Sequence, residues 1–283
     1  MLLNFPSLKH AIINNCRKIH KNLIESDNAF LSGEIGADGE PTTTIDKELE
    51  NAVIRTLNEF KVGGHLLSEE IGLIELDGEK NDLLFVVDPL DGTTNAKLKF
   101  PYYSLSVAVL NGDVPVHSFL YEYPTGNIFS ADIGQGTTYN QKKIKVSQKR
   151  SLDSCQILLA RPFSEKESEI SKILMLNTQR TRITGCPSLD IAMVALGTFE
   201  AYIDFHFDKK CLKTHDLIAA SLILQEAGGA LYGDDGKKLK LSLDTSTTYN
   251  VFATNSDEVY NALLNISTLR LALSQPSEPP QMT

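Results

Sequence analysis

Leu83-Leu84-Phe85-Val86-Val87 is an unbroken apolar run that gives way at once to Asp88-Pro89-Leu90-Asp91-Gly92-Thr93-Thr94-Asn95. The run reads as a buried strand, the kind found in layered α/β proteins. Two carboxylates follow its end, three residues apart. Gly92 permits a sharp turn, and Thr93 can open a helix whose first N–H groups suit a phosphate. Carboxylates for a metal and amides for an anion within one turn point to metal-assisted phosphate chemistry. The competing reading is an ordinary acidic turn, since Asp-Gly is a common turn signal.

With 283 residues, 42% of them hydrophobic, the chain can fill one large or two modest domains. A net charge of −9 argues against a general nucleic-acid-binding surface. It also means that a phosphate-handling site needs cations, which clustered carboxylates would hold. Cys16, Cys155, Cys186 and Cys211 form no C-x-x-C pair and read as free thiols of a reducing compartment. No apolar run approaches the ~20 residues of a membrane helix. Met1-Leu2-Leu3 is interrupted by Asn4 and Pro6, so no signal peptide is expected and the protein is read as cytoplasmic.

Helical spacing of Leu8, Ile12, Ile13, Ile19 and Leu23 opens the chain. Residues 33–41 read as a glycine-rich loop, 44–57 as a second helix, and His65-Leu66-Leu67 as a short strand before Ser68-Glu69-Glu70. Residues 104–110 and 114–122, joined by Asn111-Gly112-Asp113, carry a hairpin signature, and a further strand starts at Ile128. The polar stretch 141–153 reads as a hinge, with Lys142, Lys143, Lys145 and Lys149 as a solvated face. This divides the chain into 1–150, an α+β half with the catalytic loops, and 151–274, an α/β half that closes a pocket. In the second half, 156–160 and 201–205 read as strands. Residues 168–175, 188–195 and 214–227 read as helices, the last with Thr214 as its cap and Gly228-Gly229 as its stop. The tail 275–283 reads as disordered.

Glu69, Asp88, Asp91 and Asp216 each fall after a strand or at the start of a helix, where α/β folds gather their sites. Oxygen ligands favour Mg²⁺ or Mn²⁺ over Zn²⁺. The chain has no P-loop, no H-E-x-x-H and no G-x-S-x-G.

Together these segments resemble the inositol monophosphatase family. Asp88-Pro-Leu-Asp91-Gly-Thr-Thr-Asn95 is similar to its first signature. Thr214-His215-Asp216-Leu-Ile-Ala-Ala with Glu226-Ala-Gly-Gly229 is similar to its second, with His215 in place of the usual Trp. Ser68-Glu69-Glu70, Thr43-Thr44-Ile45-Asp46, Gly185-Cys-Pro-Ser188 and Gly134-Gln-Gly136 follow the family order. Residues 36–42 with Ile45-Asp46 look most like the archaeal branch, whose members often hydrolyse both inositol-1-phosphate and fructose-1,6-bisphosphate.

The resemblance implies an αβαβα layered sandwich of the sugar-phosphatase type and hydrolysis of a small sugar or polyol phosphate by a metal-activated water. It implies two or three Mg²⁺, with Mn²⁺ a possible substitute, held by Glu69, Asp88, the Leu90 carbonyl, Asp91 and Asp216. Asp38 is implied as ligand to a third ion, and Glu70 could exchange with Glu69. Thr93, oriented by Asp46, would help activate water beside Glu69, and Gly92 and Thr93 amides would cradle phosphate. Gly185 and Asp204 would face the substrate, and Arg180 and Arg182 could meet a second phosphate. His215 reads as a packing residue. A homodimer is implied, with no membrane or nucleic-acid partner. The alternatives are 3′-phosphoadenosine phosphate as substrate, or a regulatory binding protein associated with transcription or ribosomes.

Overall fold

The computed structural model describes residues 4–79 and 81–266. Helix α1 (Phe5–Leu23) starts at Asn4, whose side chain accepts from the Ser7 N–H at 3.1 Å. A hairpin of β1 (Ser32–Ile35) and β2 (Pro41–Thr43) leads into α2 (Thr44–Glu59). The start of α2 is a capping box in which the Thr43 N–H donates to Asp46 at 3.1 Å and the Asp46 N–H donates to Thr43 Oγ1 at 3.4 Å. Next come β3 (His65–Ser68), β4 (Gly72–Glu75), β5 (Leu83–Asp91) and the short α3 (Thr93–Lys97). A meander follows: β6 (Ser104–Asn111), β7 (Val114–Glu122), β8 (Ile128–Asp132), β9 (Gly136–Tyr139) and β10 (Lys142–Lys143). Then come β11 (Gln156–Leu159), α4 (Glu165–Asn177), β12 (Arg180–Arg182), α5 (Pro187–Ala195) and β13 (Ala201–Asp204). The described chain closes with α6 (Thr214–Glu226), β14 (Ala230–Tyr232), β15 (Val251–Thr254) and α7 (Asp257–Leu264). The tail read as disordered, 275–283, lies outside the described residues.

One eight-stranded sheet has the order β10-β9-β8-β7-β6-β5-β3-β4, and a five-stranded sheet has the order β12-β11-β13-β15-β14. Three cores join five layers, the αβαβα sandwich expected, the middle one packing both faces of the central helices. In the first core Ile12 of α1 and Leu49 and Val53 of α2 meet Phe85 and Val87 of β5. In the second, Leu189 of α5 and Ile218 and Leu222 of α6 lie between Val86 and Leu120 of one sheet and Leu158 and Val251 of the other. In the third, Ile170 and Leu174 of α4 and Leu263 of α7 cover Ile157 and Phe252. Successive strand residues point to opposite faces. Phe85 and Val86 therefore enter different cores, which accounts for a strand without polar alternation.

Four expectations are corrected. Residues 33–41 are a hairpin rather than a loop: its β1 residues are all exposed, so no apolar alternation marked it. Strand β5 runs on through Asp88 to Asp91 instead of stopping at Val87. The stretch 141–153 is not a free hinge, because Val146 is buried, its N–H donates to Ala227 O at 3.1 Å, and Asn255 Nδ2 donates to Ser147 O and Lys149 O. Its Lys142, Lys143, Lys145 and Lys149 are exposed, as expected. Lys213, not Thr214, is the residue before α6; its N–H donates to Asp216 at 2.6 Å, and Thr214 is already the first helical residue. Among the described residues no helix is long and apolar enough to cross a membrane, and all four cysteines are free.

His20, buried against α1's core, stacks on Tyr123 at a centroid distance of 4.4 Å. Burial lowers its pKa to about 4. The folded state therefore binds this proton less readily than the unfolded chain. The resulting stability is full above the unfolded value of about 6.5 and is lost as pH falls toward 4. We expect the melting temperature of the wild type to drop across that window more than that of His20→Gln, measured by circular dichroism from pH 7 to pH 4.5.

Candidate active site

Two strand ends and two helix starts converge at one edge of the eight-stranded sheet. β3 and β5 are parallel neighbours, so Glu69, just past β3, and Asp88 and Asp91, at the end of β5, come to the same side. Asp46 and Asp216 lie in the first turns of α2 and α6, where the helix dipole favours a carboxylate. In a regular strand, residues three apart face opposite ways. A bulge between Asp88 and Asp91 removes that constraint. Pro89 has no N–H for the ladder, and the Leu90 N–H turns to Asp88 Oδ1 at 2.9 Å. Oxygens of Asp88, Asp91 and Asp216 then lie within 4.8 Å of one another, and so do ligand atoms of Asp38, Glu69 and His215.

Donors fix this arrangement. Asp91 Oδ2 accepts from the Ser188 N–H at 2.7 Å, from the Ser188 hydroxyl, and from the Cys186 thiol at 3.1 Å. Gly92 turns the chain at φ +88°, and a Cβ there would sit 3.1 Å from Tyr103 Cβ and 3.2 Å from Cys186 Cβ. Thr93 donates its hydroxyl to Leu90 O at 2.9 Å. Asn95 Nδ2 donates to Tyr102 O at 2.8 Å, Thr184 O at 2.7 Å and Gly185 O at 3.2 Å, tying the second half's 184–185 segment to α3. Burial pushes the Cys186 thiol well up, so it serves as a donor and not as a nucleophile.

The electrostatics show an excess of negative charge. Burial, then the charge of Asp88, raises Glu69 well above the usual carboxylate range. Burial and Asp91 do the same to Asp88, and burial raises Asp216. Burial, then Asp46, lifts Glu70 to about 8. Burial raises Asp46 to about 6 against hydrogen bonds from Thr43, while its buried Oδ1 has no partner. Glu69 and Asp216 keep 18% and 17% of their side-chain surface accessible. A cleft of about 430 Å³ opens over them, lined also by Asp46, Thr93, Lys209, Lys210 and Lys213. Crowded carboxylates, Glu69 and Asp216 among them partly accessible, form a donor set that fits a hard divalent cation.

The structure brings Asp38, Asp46, Glu69, Thr93 and Asp216 together in that cleft, with Asp88 and Asp91 behind them. Glu69, not Glu70, reaches the ligand cluster. Gly185 sits at φ +77° beside Asn95. Asp204 is buried outside the cleft lining: its Oδ2 accepts from Tyr202 OH at 3.0 Å, and its Oδ1 faces His206 Nε2 at 3.3 Å. Arg180 and Arg182 are exposed on the edge strand β12, also outside the lining. His215 is buried, as expected of a packing residue, with its Nε2 3.5 Å from Glu69 Oε2.

The sequence model of the inositol monophosphatase family matches residues 11–268. The chain belongs to this family. A relative from Methanothermobacter thermautotrophicus, named fructose-1,6-bisphosphatase/inositol-1-monophosphatase, is 31% identical over 253 residues, covering 86% of this chain and 89% of that one. A relative from Escherichia coli, named Nus factor SuhB, is 32% identical over 193 residues, covering 66% and 69%. A solved Pyrococcus horikoshii structure, titled a hypothetical protein with similarities for inositol-1 monophosphatase, superposes with a TM-score of 0.79 at 26% identity. That match covers 92% of this chain and 96% of the other.

Several polar contacts around the site escaped the sequence reading. Lys213 Nζ donates to Asp38 Oδ2 at 2.8 Å. His206 lies between Glu167 at 3.1 Å and Asp204 at 3.3 Å, and these carboxylates outweigh burial and raise its pKa. Buried Asp190 accepts from Tyr102 OH at 2.9 Å and from Thr184. Lys213–Asp38, His206–Glu167 and Asp190–Tyr102 join residues far apart in sequence, and isolated polar residues give no periodic signal. Glu226, by contrast, was visible inside a motif, and the structure gives it a task. Its carboxylate accepts the Gly134 N–H at 2.9 Å and the Gly136 N–H at 2.8 Å, pinning the β8–β9 turn to the end of α6. Hydrogen bonds to a charged group contribute more than neutral ones. Glu226→Ala should therefore cost about 2 kcal/mol in a urea unfolding curve, with the activity of the folded protein retained.

Proposed function

We propose that this protein is a divalent-cation-dependent phosphomonoesterase for small sugar or polyol phosphates, with fructose-1,6-bisphosphate and inositol-1-phosphate as leading substrates. One observation carries the reading: the carboxylates of Asp88, Asp91 and Asp216 gather within 4.8 Å beside Glu69, at a cleft a small metabolite can enter. Glu69, Asp88, Asp91, Asp216 and the Leu90 carbonyl would hold Mg²⁺, with Mn²⁺ a substitute. When bound, such a cation supplies charge neutralisation and Lewis acidity at the phosphoryl group and eases deprotonation of water.

The chain's own groups do the rest. N–H groups at Gly92 and Thr93 meet phosphate oxygens. The Thr93 hydroxyl, held by Leu90 O, orients a water beside Asp46 and Glu69. Asp46 Oδ1 is free to take a proton, and a carboxyl near pH 6 is suited to that exchange. Asn95 keeps Gly185 at the substrate side. The relative named fructose-1,6-bisphosphatase/inositol-1-monophosphatase supports the substrate choice. The relative named Nus factor favours a second reading, a binding protein. A complete carboxylate set with Thr93 and Asp46 beside it favours catalysis.

Phosphate release from fructose-1,6-bisphosphate, inositol-1-phosphate and 3′-phosphoadenosine phosphate, with Mg²⁺ or EDTA, tests the proposal. The expected result is release that EDTA abolishes, with one of the first two substrates giving the highest kcat/KM. No release from any of them by folded, Mg²⁺-loaded protein would overturn it in favour of the binding role.

A further inference from the structure

Asp38, Glu69 and His215 place ligand atoms within 4.8 Å of one another, a second grouping able to hold a cation beside the one formed by Asp88, Asp91 and Asp216. Its Asp38 corner is engaged on every side. Asp38 Oδ1 accepts the Glu40 N–H at 2.9 Å. Asp38 Oδ2 and the Asp38 carbonyl both accept from Lys213 Nζ, each at 2.8 Å. The ion pair is sheltered, with each side chain only 10% exposed. Backbone contacts hold the same turn: the Ala37 and Asp38 N–H groups donate to Glu70 O and Glu69 O, both at 3.0 Å, and Thr245 donates to Ala37 O at 3.3 Å. Lys213 is itself anchored, because its N–H donates to Asp216 at 2.6 Å. One residue thus binds the β1–β2 hairpin to a carboxylate of the other grouping.

A divalent ion at Asp38 would stand within coordination reach of an ammonium already bound to the same carboxylate. Like charges a few ångströms apart in a sheltered site repel strongly. Asp38's charge is matched without a metal, and Glu69 keeps His215 Nε2 at 3.5 Å as its neighbour on that side. We propose that the Lys213 ammonium takes the place of a divalent ion at Asp38, latching the β1–β2 hairpin over a site that works with two ions instead of three. The proposal rests on the phosphatase reading only in assuming that the site binds divalent ions.

Counting bound Mn²⁺ by equilibrium dialysis of the full chain with inorganic phosphate tests it, with metal measured by mass spectrometry. Wild type is expected to bind two ions. Lys213→Met, which keeps the stem and removes the charge, is expected to bind three, and adding Asp38→Asn should return the count to two. Lys213→Arg, which keeps the cation, should also stay at two. Three ions in the wild type, or two in folded Lys213→Met, would overturn the proposal. Because the wild-type count alone can contradict it, a Lys213→Met chain that fails to fold leaves the test intact. A wild type that binds no ion would contradict the phosphatase reading itself, which separates the two failures.

Discussion

Asp91→Asn is expected to lower kcat/KM for fructose-1,6-bisphosphate by ~10³-fold while the protein remains folded. The size follows from removing one preorganised charged group from the reacting centre. The fold should tolerate the change for an electrostatic reason. Burial and the nearby Asp216 push Asp91 up to about 6, so the folded chain binds this proton more tightly than the unfolded chain does. Its contribution to stability is present below the unfolded value of about 4 and is lost as pH rises through 6. At pH 7 the metal-free wild type carries the full penalty of a buried charge, and an amide removes it. The Ser188 N–H, now 2.7 Å from Oδ2, still has an amide oxygen to meet. The metal-free variant should therefore melt no lower than the metal-free wild type at pH 7. Mg²⁺ should raise the melting temperature of the wild type and not of the variant, since only a ligand that binds the folded state stabilises it. Activity within tenfold of wild type would contradict the assignment of Asp91 as a cation ligand.

Phe85→Ala should be the most costly single truncation near the site. Phe85 is fully buried on β5, facing Leu49 and Val53 of α2, one residue before a side chain that enters the opposite core. Truncating a buried Phe removes its burial and leaves a cavity between two layers, at roughly 3–5 kcal/mol. For a chain of this size that lowers the melting temperature by about 10 °C. Leu73→Ala on β4, 62% exposed, should change stability by at most ~0.5 kcal/mol. Urea unfolding of the two variants gives the comparison. A small loss for Phe85→Ala would mean that the layer between α2 and β5 closes over the gap.

Some of this architecture was open to reading and some was not. The stretch 83–95 announced a buried strand, a turn and a helix start because each rests on local rules: an apolar run, a Gly able to take positive φ, and a Thr after it. The bulge between Asp88 and Asp91 was implicit in Pro89, which cannot feed the ladder, but the reading ended the strand at Val87 instead. The β1–β2 hairpin stayed hidden because every β1 residue is exposed and the buried residues of β2 are the polar Thr42 and Thr43, so no apolar period exists to detect. Capping preference favoured Thr214, whereas the chain uses a backbone donation from Lys213 to Asp216, which no side-chain rule selects. The Lys213–Asp38 pair joins positions 175 residues apart, and the His206–Glu167 pair joins positions 39 apart. Such pairs are set by how the layers stack and not by local pattern. Asp204 was expected to face the substrate because the family resemblance implied it. The stacking puts it against Tyr202 and His206 instead.

The central claim is that Asp88, Asp91 and Asp216, with Glu69 beside them, hold divalent cations at a phosphate site. Anomalous diffraction from crystals grown with Mn²⁺ and inorganic phosphate tests it most directly. The account predicts an anomalous peak about 2.0–2.2 Å from oxygens of Asp88, Asp91 and Asp216, the distance expected for a hard cation on carboxylates, with phosphate beside Gly92 and Thr93. Peaks only elsewhere on the protein, or phosphate bound away from that turn, would contradict it.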